Sequence, residues 1–105
     1  MEQIERIETM ERALDRAQAA VSALSQALDA YCEALPDIRA LDAYLQSDDW
    51  KADFAADEAG ELPPELKRGV LSEDGVYDLL TENDALRKRL AAVAADRKRR
   101  KRTQA

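Results

Sequence analysis

The chain has no histidine, a single cysteine (Cys32), three glycines, three prolines and only five aromatic residues, one Trp, three Tyr and one Phe, in 105 residues.

 Without His there is no nucleophilic triad built on imidazole, no His general base and no His metal ligand. One Cys excludes an internal disulfide and a Cys-cluster zinc site. So few aromatics, Gly and Pro argue against a β-sandwich or barrel, which needs many turns and large inward side chains. No apolar run approaches the ~20 residues of a membrane span. The start, Met1-Glu2-Gln3-Ile4-Glu5-Arg6, is acidic and lacks the apolar core of a signal peptide, so a cytoplasmic protein without membrane association is expected. What remains is 46% apolar and 36% charged, against ~25% charged in ordinary globular chains. That balance favours helices.

Charge is unevenly spread. The net −6 divides into 21 acids against 7 bases over residues 1–86 and nine bases against one acid over 87–105. The run Arg97, Lys98, Arg99, Arg100, Lys101, Arg102 reads first as a helix end that sets cations against its own dipole and then frays, a basic tail over 97–105. Its alternative reading is a nucleic-acid contact, joined by Arg87, Lys88 and Arg89. No aromatics interleave with these bases, and no reading motif accompanies them.

From Ile7 onward apolar residues recur with spacings of 3 and 4. With Ile7 at heptad position a, Leu14, Val21, Leu28 and Leu35 also fall at a, and Met10, Ala17, Leu24 and Tyr31 at d. Four heptads of this kind predict helix-on-helix packing. Position g is Ala13, Ala20, Ala27 and Ala34, which widens the apolar face and predicts more than one neighbour, within the chain or across a dimer. Cys32 falls at e and reads as a small filler. Pro36 is expected to stop or sharply kink this helix. Asp37 then caps a short helix carrying Ile38, Leu41 and Leu45, and Ser47 caps another with Trp50 and Phe54 on one face. Gly60 ends that piece, Leu62-Pro63-Pro64 is extended, and Gly69 turns the chain. Ser72 looks like the cap of the last helix, with Leu71 and Val76 placed as a hydrophobic staple. Val76, Leu79, Leu86, Leu90 and Val93 continue a 3-4 pattern broken at Asn83.

The expected fold is all-α: an antiparallel, coiled-coil-like hairpin of two long helices with short helices capping one end. Residues 1–96 form one domain, with a long helix at about 3–35, short helices at about 37–46 and 48–59, a loop at 60–71 and a long helix at about 73–100. One register pairs Tyr31 with Val76, Leu28 with Leu79, Leu24 with Asn83, Val21 with Leu86, Ala17 with Leu90 and Leu14 with Val93. It also sets Glu2, Glu5, Glu8 and Glu11 beside the basic tail. Trp50, Phe54, Leu62 and Leu66 are expected to plug the closed end.

The middle of the chain carries a more specific signal. Trp50-Lys51-Ala52-Asp53-Phe54, then Asp57-Glu58-Ala59-Gly60-Glu61-Leu62-Pro63, then Leu66-Lys67-Arg68-Gly69-Val70-Leu71-Ser72-Glu73-Asp74 resembles a small bacterial and phage family known as a domain of unknown function (family 4298). The resemblance covers most of the chain. It implies a bacterial, cytosolic, helical protein and brings no activity with it.

Asp48, Asp49, Asp53, Asp57, Glu58 and Glu61 raise the question of a divalent cation. The alternating acids and Gly of a calcium loop are missing, and the cluster reads as a solvated helix face, so no metal and no cofactor are expected. Lys67 and Arg68 are placed to meet Asp53 or Asp57, or to hold a phosphate or carboxylate of a partner. Trp50, Asp53, Lys67 and Arg68 are therefore the candidate docking surface. The expected function is a non-enzymatic protein–protein interaction or structural module, dimeric through the first helix, with an unknown protein partner; the alternative is a nucleic-acid-binding accessory protein using the basic tail. A magnesium-dependent phosphoryl enzyme is disfavoured for want of a Gly-rich phosphate loop.

Overall fold

A computed structural model describes residues 2–72 and 74–104, with side chains described through Asp96. Among the described residues every regular element is helical: α1 at Gln3–Leu45, α2 at Asp48–Glu58, a single 3-10 turn at Gly69–Leu71, and α3 at Gly75–Gln104. None of these helices is long and apolar enough to cross a membrane.

The sequence placed a helix boundary at Pro36, and that boundary is corrected. α1 runs through Pro36 to Leu45, so the expected pieces at 3–35 and 37–46 are one helix. Proline removes one N–H from the ladder and crowds the carbonyl four residues earlier, which disfavours a helix without forbidding it. Here the flanks, Cys32-Glu33-Ala34-Leu35 and Asp37-Ile38-Arg39-Ala40-Leu41, contain no glycine and are dominated by competent helix formers. Just after this proline the chain divides into two compact units, Met1–Asp37 and Ile38–Ala105.

In the first unit α1 is the only element. A lone helix has nothing of its own to bury a seam against, and Ile7, Met10, Leu14, Val21, Leu24 and Leu28 are all exposed, from 39% at Leu28 to 69% at Val21.

The second unit holds the two buried apolar residues among those described, Leu71 (6% exposed) and Val76 (4%). These are the two staple positions that flank Ser72. Ser72 is extended, its Oγ accepts from the Gly75 N–H at 3.0 Å and donates to the Gly69 carbonyl at 2.9 Å. The cap therefore stands where the sequence put it, although α3 is assigned from Gly75 rather than from about 73; such ends differ by a residue or two with the criterion used. Gly75 is required by close approach: a Cβ there would lie 2.6 Å from both the Gly69 carbonyl oxygen and Ser72 Oγ.

α2 is closed at both ends. Ser47 is extended, and its Oγ accepts from the Trp50 N–H at 3.1 Å. At the other end the Gly60 N–H bonds the Asp57 carbonyl and the Glu61 N–H bonds the Ala56 carbonyl, both at 3.0 Å, with Gly60 at φ +69°. This pair of bonds is a Schellman closure, which needs a left-handed residue and so favours glycine.

Candidate functional site

The candidate surface lies in the second unit and is built around α2. Its cap Ser47 also donates to the Tyr44 carbonyl at 2.6 Å, so the end of α1 and the start of α2 share one hydroxyl. From this junction α2 projects its side chains at helical spacing. Trp50 and Phe54, at i and i+4, stack with ring centroids 5.1 Å apart and planes inclined by 20°. Trp50 Nε1 donates to the Val70 carbonyl at 2.9 Å, which ties the residues before α3 to α2. Leu62 is half-buried, but Leu66 is 48% exposed. The expected four-residue plug is thus corrected at Leu66: the buried anchors on this side are Leu71 and Val76.

The acidic residues of α2 are engaged individually. Asp53 Oδ2 accepts from the Tyr44 hydroxyl at 2.6 Å. Asp57 Oδ1 accepts from Arg68 Nη1 at 2.7 Å, forming the one cross-element ion pair among the described residues. These are the two carboxylates whose spacing raised the question of a shared cation, and each has a different protein partner. Among the described residues no group of three or more Asp, Glu, His or Cys is arranged to hold a metal ion. The Asp53 carboxylate holds the Tyr44 phenol up at a pKa of about 12; its hydrogen bond is the chief cause, followed by desolvation and by the negative charges of Asp53 and Asp49.

Trp50 and Arg68 are half-buried, whereas Asp53 and Lys67 are exposed. The structure separates the Lys67-Arg68 pair: Arg68 meets Asp57, while Lys67 lies on the rim of an open groove of about 410 Å³ with Leu41, Gly69, Val70, Gly75, Val76 and Leu79. Val76 and Leu79 share this groove with Leu41. The side chains of Arg97, Lys98, Arg99, Arg100, Lys101 and Arg102 lie outside the described residues.

Tyr44, the Val70 carbonyl and Gly75 were missed by sequence reasoning. Tyr44 lies nine residues before Asp53, across a helix break, so no single periodicity links them. The close approach behind Gly75 becomes visible only once Ser72 and Gly69 are known to fold back on it.

A family model described as "Domain of unknown function (DUF4298)" matches residues 7–92. No curated protein and no solved structure matches the chain.

Proposed function

The chain belongs to this family of unknown function, and we propose that it is a non-enzymatic helical interaction module that self-associates through the α1 seam. The observation that carries this reading is the exposed run Ile7, Met10, Leu14, Val21, Leu24 and Leu28. These residues occupy every a and d position from Ile7 to Leu28 except that of Ala17, and an apolar stripe on a helix gains by burial against another helix. Fully burying each Leu, Ile, Val or Met is worth about 1.5–3 kcal/mol. The second unit supplies a braced body: Trp50, Phe54, Tyr44–Asp53 and Arg68–Asp57 fix α2, and the Lys67 groove beside it is the docking face offered to a protein partner.

The antiparallel hairpin, with α3 returned on α1 and the short elements capping one end, belongs to the same proposal: the alanines at g widen the α1 face enough for more than one neighbour. Light scattering on the full chain at micromolar concentration tests the self-association. A solution mass of twice 11.7 kDa supports self-association, and a monomer counts against it.

A second reading, nucleic-acid binding, rests on the concentration of nine bases in residues 87–105. It requires binding that weakens steeply with salt and disappears when residues 97–105 are removed. Unchanged binding after that truncation would sink it.

A further inference from the structure

We propose that the open groove of the second unit receives an acidic segment of a protein partner, with an aliphatic side chain against Leu41, Val70 and Leu79 and a carboxylate on Lys67. The proposal rests on the docking-face half of the reading above and adds what the partner must carry.

Two positions in the groove are not accounted for by folding. The first is Gly69. Gly60 alone among the described residues has a positive φ, and a Cβ built on Gly69 would meet nothing within 4 Å. Glycine loses more conformational freedom on folding than any other residue, so neither backbone nor packing calls for it here. Gly75 differs, since its close approach to Gly69 and Ser72 already demands it. What Gly69 does is leave the floor bare, in a groove that keeps about 410 Å³ open. Val70 and Leu79 are 38% and 39% exposed, so the aliphatic floor still gains by burial.

The second position is Lys67. Residues 1–86 hold 21 acids against seven bases, so a cation there has many carboxylates to choose from. Arg68 takes Asp57 at 2.7 Å, and Lys51 lies 3.9 Å from Asp48. Lys67 joins no hydrogen bond or ion pair among the described residues. A free ammonium on the rim of an aliphatic floor is complementary to a carboxylate carried beside an aliphatic side chain. A nucleic acid fits this groove poorly. The floor has no ring on which a base could stack, and one cation offers little to a phosphate chain.

Amide NMR on the full chain, titrated with synthetic peptides, tests the proposal. The probes carry two leucines four residues apart, as a helix laid in a groove requires, and differ only at the flanking positions, which hold glutamate, glutamine or lysine. The glutamate peptide is expected to shift the resonances of Lys67, Gly69, Val70 and Gly75 and to bind more tightly than the lysine peptide. Lys67→Glu is expected to weaken the glutamate peptide about five-fold, an exposed pair contributing up to ~1 kcal/mol, and to strengthen the lysine peptide. Gly69→Leu fills the floor and is expected to abolish binding of all three with the thermal midpoint unchanged or higher. If that chain folds poorly, Leu79→Gln removes part of the floor instead and is expected to weaken all three. Equal binding of the three peptides, lost in Gly69→Leu, would overturn the charge assignment and leave the docking face standing. No shift in the groove with any peptide would overturn both. A dimer that became a monomer in Gly69→Leu would put a second copy in the groove and overturn the assignment of a separate partner.

Discussion

The two units are held in different ways. Met1–Asp37 is made of one helix whose apolar residues repeat for four heptads and are exposed from Ile7 to Leu28. Ile38–Ala105 has few apolar residues out of water, but it is fastened by specific bonds: Ser47 to Trp50, Tyr44 to Asp53, Trp50 to Val70, Arg68 to Asp57 and Ser72 to Gly75. A periodic apolar face is stabilised by burial against another helix. A set of short bonds stabilises its own unit at any concentration. The two should therefore respond to different perturbations.

The largest effect is expected from the seam. Leu24→Asp sets a charge at a d position; if that position is buried between helices, the change costs about 3 kcal/mol or more per copy. The mass should fall to that of a monomer, while the near-ultraviolet signal of Trp50 is retained because its neighbours lie in the other unit. Loss of both signals together would mean that the units are not independent. Trp50→Ala should do the reverse. It removes the stack on Phe54 and the bond to Val70, and for a half-buried tryptophan we expect about 2–3 kcal/mol, at or below the lower range for full truncation in a core. Thermal unfolding should register the loss, with the solution mass the same as that of the unmodified chain.

Gly60→Ala is expected to cost about 1–2 kcal/mol, because it imposes a Cβ on a left-handed backbone while space around it is open. Ser47→Ala should cost about 1 kcal/mol through loss of the cap. Both belong to the second unit and should leave the seam untouched.

Much of this contrast was legible beforehand. The heptads of α1, the caps Ser47 and Ser72, the Leu71–Val76 staple and the closure at Gly60 are local patterns, each written within about five residues. An ion pair from Lys67-Arg68 to Asp53 or Asp57 was also anticipated from the place of these cations before Gly69, and Arg68 makes it with Asp57. What could not be read was tertiary or competitive. Pro36 does not end α1, since the helix formers on either side outweigh one missing N–H. Tyr44 finds Asp53 only because the α1–α2 junction folds as it does. Lys67 parts from Arg68 because adjacent residues in a nonhelical stretch point different ways. The family match brings membership without a mechanism, so the candidate surface rests on geometry alone.

The smallest effect sharpens the comparison most cleanly, since it changes one proton. Tyr44 ionises near 10 in an unfolded chain and at about 12 in the folded one, chiefly because its hydroxyl is given to Asp53. The folded state thus favours the neutral phenol. Its contribution is complete below pH 10 and is lost as the pH rises through about 12. Absorbance titration of tyrosinate should show one late-ionising group among the three tyrosines, absent in Tyr44→Phe and shifted down towards the ordinary value in Asp53→Asn, where the acceptor is no longer charged. Because Tyr44 and Asp53 both lie in the second unit, the late step should persist unchanged in Leu24→Asp. A late step that vanished with the seam would tie Tyr44 to association and remove the distinction between the two units.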